Sequence, residues 1–299
     1  MANENPKSGN AAADLPHESR YSVANASRIY FLPNLMTAGN LFCGFYACVR
    51  CIEASFIARE STDLSSVIPL AAIELYRQAV WSIFGAMAFD ALDGRLARMG
   101  GKESLFGAEF DSLADVVSFG LAPALMMYFL IMRPAAGDQT LLSVGGLLGF
   151  VYLLCAAMRL ARFNVITHPL LYRPEGKTQN KDFVGLPVPA AAGTVAALVF
   201  FILNLMEHDK SLQWLTLGLP PLLLLVAMLM VSTVRYPSGK QIDMRTKTKL
   251  TTLVIYIIVG AAVVKFKEYG MIIVCLGYIF YGLGRHWSQH GPIKRAPLT

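Results

Sequence analysis

Eight apolar runs, each long enough to cross the hydrocarbon core of a membrane, constrain the fold of this chain more than any other feature. A transmembrane helix needs about 20 mainly apolar residues. Only 15% of the chain is charged, whereas charged residues make up about a quarter of a soluble domain. The sequence therefore predicts an all-α, polytopic transmembrane helical bundle of about eight helices. The runs fall at 31–50, 70–92, 107–132, 141–161, 184–206, 214–234, 249–266 and 269–286.

The basic residues predict how the bundle lies in the membrane. Most of the 26 lysines and arginines fall on one side if both termini are cytosolic, as the positive-inside rule requires. That bias also accounts for the net charge of +6, so a nucleic-acid partner is not indicated. Residues 1–28 are polar and lack the apolar core of a signal peptide. We interpret 1–28 as a disordered cytosolic tail, 29–287 as the transmembrane domain and 288–299 as a second cytosolic tail.

Four aspartates interrupt the apolar runs where the second helix ends and the third begins. At about 100° per residue, Asp90 and Asp93 fall about 60° apart on one helix, while Asp111 and Asp115 lie one turn apart on the next. The predicted topology puts all four at the cytosolic ends of their helices. Small residues, which allow a backbone or a ligand to approach closely, share these faces: Gly94, Ala97 and Gly107.

Four carboxylates at a membrane interface repel one another and lose hydration unless cations compensate them. Two divalent ions would balance four negative charges. Aspartate oxygens suit Mg²⁺ or Mn²⁺, and the absence of His and Cys beside the cluster argues against zinc. A two-metal carboxylate site stabilises the attacking and leaving oxygens of an in-line displacement at phosphorus. The residues therefore indicate phosphoryl-type transfer, and Arg98 could pair with a diphosphate.

The spacing from Asp90 to Asp115, D-x2-D-G-x2-A-R-x8-G-x3-D-x3-D, resembles the signature of the CDP-alcohol phosphatidyltransferases. The resemblance implies a membrane enzyme that uses two divalent metals, releases CMP and moves a phosphatidyl group from a CDP-linked lipid to an alcohol. It implies that Asp115 is also the base that deprotonates the alcohol. The metal set would be Asp90, Asp93, Asp111 and Asp115, and the CDP-lipid set Gly94, Ala97, Arg98 and Gly107, with a looser match at Asn34 and Thr37.

Four further stretches, at 33–40, 106–124, 159–164 and 185–189, resemble the bacterial, membrane-embedded phosphatidylserine synthases of that family. This resemblance implies CDP-diacylglycerol and L-serine as substrates, a multi-pass protein of the bacterial inner membrane, and an active site that faces the cytosol. Serine brings a carboxylate that a basic side chain should hold. The candidate serine-binding residues are Arg159 and Arg162 for the carboxylate, with Asn164 and Ser118 as hydrogen-bonding groups.

Two alternatives remain open at this point. The same chemistry could use glycerol 3-phosphate, inositol phosphate or choline as the acceptor, and Arg159 and Arg162 are compatible with a phosphorylated one. A divalent-cation transporter would also need intramembrane carboxylates, but near the bilayer midplane rather than at one interface. Runs of small residues such as 145–149 permit close helix packing, which is compatible with a homodimer and with a monomer.

Overall fold

The computed structural model describes residues 31–60, 68–100, 105–130, 139–167, 183–207, 213–236 and 267–289. This part of the chain forms seven helices and one pair of two-residue strands. The strands are β1 (Phe183–Val184) and β2 (Arg235–Tyr236). The helices are α1 (Phe31–Glu60), α2 (Leu70–Gly100), α3 (Leu105–Leu130), α4 (Gln139–Thr167), α5 (Val188–Glu207), α6 (Gln213–Val231) and α7 (Lys267–Gln289).

The helices coincide with seven of the eight predicted runs. The largest difference is at α1, which continues to Glu60 instead of ending near residue 50. Ser55 and Ala58 of this extension are buried, so packing against the bundle stabilises helix beyond the end of the most apolar stretch. The predicted run at 249–266, the predicted tail 1–28 and residues 290–299 lie outside the described residues.

Four of the described helices are long and apolar enough to cross a membrane: Asn34–Ala58, Leu105–Leu130, Val144–Ile166 and Val188–Glu207. Large apolar side chains are also exposed along them, and Phe42, Phe45 and Phe56 of α1 each present about 60% or more of their surface. Such a surface is unfavourable in water and favourable against lipid tails. The described part of the chain is therefore a helical bundle with four helices able to cross a membrane, while eight spans and cytosolic termini stay predictions.

Two helices, α1 and α2, form the most extensive contact in the structure, and α3 packs along α1. Both helices contribute small buried residues to the core, such as Ala47, Cys51 and Ala54 of α1 and Ala72 and Ala79 of α2. Small side chains let helix backbones approach closely, which favours van der Waals packing in a membrane. This packing brings the end of α2 and the start of α3, which carry the aspartates, against the start of α1.

The third helix changes its winding directly after Asp115. Val116–Leu121 is a π-helical turn, in which each N–H bonds five residues back, and it joins α-helical segments on both sides. Pro123 supplies the physical reason, because it has no N–H and its ring crowds the carbonyl four residues earlier, that of Phe119. The Tyr152 hydroxyl on α4 donates a hydrogen bond to this carbonyl (3.2 Å). Tyr152 thus supplies a donor to the Phe119 carbonyl that Pro123, without an N–H, cannot supply.

The strands β1 and β2 pair antiparallel and connect the start of α5 to the end of α6. Between β1 and α5, Gly185 has φ of +82°, a left-handed conformation that favours glycine. A Cβ there would lie 2.3 Å from the Met230 carbonyl oxygen. The Gly185 N–H donates to the Val234 carbonyl (2.8 Å), which ties the segment before α5 to the chain that leaves α6.

Candidate functional site

Three of the four predicted aspartates meet between α2 and α3. Asp90, Asp111 and Asp115 each offer a carboxylate oxygen, and these three oxygens lie within 4.8 Å of one another. Asp115 is 7% exposed, and Asp90 and Asp111 are half-buried. The helical spacing in the sequence predicted this meeting, because it put the acids of each helix on one face.

The fourth aspartate, Asp93, lies outside this group of three and has a partner on α1. The Thr37 hydroxyl donates a hydrogen bond of 2.5 Å to Asp93 Oδ2, and both residues are buried. Asp93 is still close enough to raise the electrostatic repulsion at Asp90 and Asp111. The two residues thus connect the start of α1 to the carboxylate cluster.

A second contact from α1 reaches Asp115 itself. The Asn40 Nδ2 donates a hydrogen bond to Asp115 Oδ1 (2.9 Å), and Asn40 is completely buried. The spacing of the aspartates predicts no role for Asn40. The sequence nevertheless links Asn40 to two predicted site residues, because Asn34, Thr37 and Asn40 follow one another at three-residue steps. Residues at this spacing lie near one another on one side of a helix.

The same stretch of α1 is bonded to the π-helical turn of α3. The Ser118 Oγ donates to the main-chain carbonyl of Asn40 (2.9 Å), and Ser118 is also completely buried. The two helices can approach this closely because residue 44 is glycine, whose added Cβ would lie 2.2 Å from Ser118 Oγ and 2.5 Å from Ser118 Cα. Asn40 is therefore held through both its side chain and its main chain.

The cluster has the donor set of a site for a hard divalent cation. All of its ligand atoms are carboxylate oxygens, which Mg²⁺ and Mn²⁺ prefer. Asp111 Oδ1 is buried and has no hydrogen-bond partner in the described part of the chain, although a buried carboxylate oxygen is costly without one. The residues thus fit a metal ion, which would supply the compensating charge.

Arg159 on α4, which was predicted to bind the serine carboxylate, interacts electrostatically with the cluster. Its guanidinium attracts the Asp115 carboxylate, and its Nε is buried without a hydrogen-bond partner among the described residues. A buried N–H of this kind is available to an anion that enters the site. Arg162, one turn further along α4, is exposed.

The other two predicted serine-binding residues have protein partners. The hydroxyl of Ser118 is bonded to Asn40, as described above, while Asn164 lies at the contact between α3 and α4. There the Ser112 Oγ donates to Asn164 Oδ1 (3.0 Å), and Asn164 Nδ2 donates to Glu109 Oε2 (3.3 Å). Their contact with serine stays a prediction.

The predicted CDP-lipid residues lie on α1, α2 and α3. Asn34 on α1 has a buried Nδ2 without a hydrogen-bond partner among the described residues. Gly94 on α2 and Gly107 on α3 are half-buried, and Thr37 is bonded to Asp93. The side chains of Ala97 and Arg98 lie outside the described part of the structure.

Residues 30–225 match the sequence profile of the CDP-alcohol phosphatidyltransferases, and this region holds all four aspartates. The chain belongs to the CDP-alcohol phosphatidyltransferase family. Enzymes of this family use divalent cations, which agrees with the carboxylate cluster.

Several named members of the family are similar to this chain over much of their length. A CDP-diacylglycerol–serine O-phosphatidyltransferase of Helicobacter pylori (strain J99) is 30% identical over 258 residues, which is 86% of this chain and 91% of the relative. The enzyme of that name from Methanocaldococcus jannaschii is 30% identical over 201 residues, 67% of this chain and 80% of the relative. An archaetidylserine synthase of Methanothermobacter thermautotrophicus is 36% identical over 154 residues, 51% of this chain and 54% of the relative.

Proposed function

We propose that this protein transfers the phosphatidyl group of CDP-diacylglycerol to the hydroxyl of L-serine, giving phosphatidylserine and CMP. The observation that carries the proposal is the similarity to serine phosphatidyltransferases along 86% of the chain. The carboxylate cluster formed by Asp90, Asp111 and Asp115 supports it, because a divalent cation held by such a cluster would neutralise a diphosphate in an apolar surrounding.

The four aspartates would hold two divalent cations, Mg²⁺ or Mn²⁺. When bound, these ions would neutralise the diphosphate and the leaving CMP. The proton chemistry belongs to Asp115: its carboxylate accepts the proton of the serine hydroxyl as the hydroxyl oxygen attacks the phosphorus that carries diacylglycerol. The bond between this phosphorus and the oxygen of CMP breaks in the same step.

CDP-diacylglycerol reaches such a site from the side. Exposed apolar residues on α1 and α4, including Phe42, Phe45 and Phe150, support a lipid-facing surface in which the acyl chains remain. The diphosphate and cytidine would be bound at the ends of α1, α2 and α3. The lining residues we propose are Asn34, Thr37, Gly94, Ala97, Arg98 and Gly107.

The acceptor side of the site is assigned to α4. Arg159, half-buried and with a buried Nε that has no hydrogen-bond partner among the described residues, is the group we propose for the serine carboxylate. Arg162 and Asn164 on the same helix, and Ser118 on α3, are the further serine-binding residues that we propose. The bias of basic residues supports a cytosol-facing site in a bacterial inner membrane, where soluble serine is available.

The test is CMP release by purified protein in detergent with CDP-diacylglycerol and Mn²⁺ or Mg²⁺. Serine, glycerol 3-phosphate, inositol phosphate and choline are supplied one at a time. We expect CMP with serine, and none after EDTA until Mn²⁺ or Mg²⁺ is restored. CMP with another acceptor alone would replace serine in the proposal. No CMP with any acceptor, together with metal uptake into vesicles, would favour a transporter.

The stereochemistry at phosphorus tests the direct step. A single displacement inverts the configuration of a chiral phosphorothioate CDP-diacylglycerol. Retention would require two displacements and an enzyme-bound intermediate, and it would contradict proton transfer from serine to Asp115 during attack on the lipid donor.

A further inference from the structure

The environment of Asp115 contains one buried polar side chain to which the proposed reaction assigns no role. Asn40 is completely buried on α1, and its amide bonds to a single oxygen of Asp115. Its own Oδ1 is buried and has no hydrogen-bond partner within the described ranges. A leucine, which has the same branching, would avoid burying that oxygen, so packing alone does not account for an amide here.

The orientation of this amide is determined by its partner. A carboxylate only accepts hydrogen bonds when ionised, so the NH₂ end of Asn40 faces Asp115 and the oxygen faces away. The bond is charge-assisted, which makes it shorter and stronger than a bond between neutral groups. It occupies Asp115 Oδ1 and leaves the second oxygen to face other groups in the site.

Asp115 needs such a partner because an aspartate carboxylate can rotate about its side-chain bonds. Asp90 and Asp111 offer carboxylate oxygens within 4.8 Å of it, but ionised carboxylates donate no hydrogen bond that could fix its orientation. A rotation that moves the proton-accepting oxygen by about 1 Å is enough to slow a reaction about a hundredfold. The bond from Asn40 restrains this rotation.

Asn40 can restrain Asp115 because its own backbone is fixed to α3. The Ser118 hydroxyl bonds to the Asn40 carbonyl, and Gly44 lets α3 approach to that distance. Ser118 lies three residues after Asp115, within the π-helical turn. The amide on α1 and the carboxylate on α3 therefore belong to one closed set of contacts, Asp115 to Asn40 to Ser118.

We propose that Asn40 is a positioning residue for phosphatidyl transfer, whose amide holds the Asp115 carboxylate in the orientation that accepts the proton of the acceptor alcohol. The proposal rests on the proposed function of Asp115 as the base. Asn40 itself touches neither the phosphorus nor the attacking oxygen in this scheme; it acts through Asp115.

Two variants of the full-length protein test the proposal by CMP release in detergent. Asn40→Ala removes the amide, and we expect kcat to fall about tenfold to a hundredfold, with the KM for CDP-diacylglycerol changed less than about threefold. Asn40→Asp keeps the size of the side chain but replaces the donor by a fifth carboxylate. We expect its kcat to fall at least as far.

The matched control is Ser55→Ala on the same helix. Ser55 is also buried, and its hydroxyl bonds to the Ile52 carbonyl (2.7 Å), distant in sequence from the aspartates. We expect this variant to keep kcat within about twofold of wild type. Melting temperatures in detergent are measured for all variants, so that kcat refers to folded protein.

The outcomes separate the inference from the proposed function. Wild-type protein that releases no CMP with any acceptor would overturn the proposed function. Active wild-type protein with unchanged kcat in Asn40→Ala, or in Asn40→Asp, would overturn the role of Asn40 alone. If Asn40→Ala cannot be purified, the isosteric Asn40→Asp decides: lost turnover at a wild-type melting temperature supports positioning, and retained turnover contradicts it.

Discussion

Asp115 combines, at one side chain, contact with two other carboxylates, a hydrogen bond from Asn40 and attraction to Arg159. At the scale of residues, these neighbours distinguish its two proposed roles, as a metal ligand and as the base. One oxygen is bonded to Asn40, and the carboxylate as a whole faces Asp90 and Asp111. A carboxylate that is held in this way already has its reactive orientation, so it does not have to rotate toward the serine hydroxyl during the reaction.

Replacing Asp115 by Asn tests its role as the base. The amide has the same shape but cannot accept the proton of serine, so we expect CMP release to fall by about 10²-fold or more. Binding of CDP-diacylglycerol, followed by fluorescence of a labelled analogue, should be largely retained. The control is Glu207→Gln, the same acid-to-amide change at an exposed residue that pairs with Arg77. Full turnover in Asp115→Asn would remove this residue as the base.

The two arginines of α4 are equal candidates by sequence, and the structure distinguishes them. Arg159→Gln should raise the KM for serine about tenfold or more, because a charged hydrogen-bonded pair is replaced by a neutral contact. The same change at the exposed Arg162 should have a smaller effect. Initial rates at varied serine and saturating CDP-diacylglycerol measure both. A larger effect at Arg162 would contradict the assignment of the serine carboxylate to Arg159.

At the scale of elements, the site depends on the distance between α1 and α3. Thr37 and Asn40 reach Asp93 and Asp115 from one helix, while Ser118 reaches back from the other. The π-helical turn contributes, because one extra residue in a helical turn rotates all following side chains by about 100°. The carboxylates before the turn and Ser118 within it can then face α1 together.

Gly44→Ala tests this close approach. The added Cβ would lie 2.2 Å from Ser118 Oγ and 2.5 Å from Ser118 Cα, so α1 and α3 must separate. We expect a loss of stability of about 1–3 kcal/mol and a lower kcat, measured as melting temperature and CMP release. Gly277→Ala on α7 is the control, because its Cβ would meet nothing within 4 Å. Wild-type activity and melting temperature in Gly44→Ala would contradict the tight α1–α3 contact.

At the scale of the whole molecule, function depends on which side of the membrane the cluster faces. The aspartates lie toward one end of α2 and α3, so the orientation of these helices decides whether soluble serine in the cytosol can reach them. The bias of basic residues predicts that it can. The match to the family ends at residue 225, so α7 is the described helix that lies wholly beyond it.

Labelling of an introduced cysteine tests this orientation. Ser8→Cys, in the predicted N-terminal tail, should react with a membrane-impermeant maleimide in inside-out vesicles and not in intact spheroplasts. The wild-type protein, with its five cysteines, is the background control, since those in the described helices are buried or half-buried. Labelling of Ser8→Cys in intact spheroplasts would reverse the predicted topology.

Much of this protein could be predicted from its sequence, for a physical reason. Apolar runs are matched to the thickness of a bilayer, so their lengths indicated seven helices that the structure describes. Helical periodicity put Asp90 with Asp93 and Asp111 with Asp115 on single faces, and their charge implied a cation. These are local properties of a chain, and local properties can be read from a sequence.

Only the tertiary structure determined which polar side chain contacts which partner around the carboxylates. Ser118 bonds to the backbone of Asn40, Asp93 takes Thr37 as its partner, and Arg159 is half-buried whereas Arg162 is exposed. These outcomes depend on how far each helix is rotated and how closely it approaches its neighbour. Rotation and approach are set by Gly44, by Pro123 and by packing between helices that are distant in sequence, which no local pattern contains.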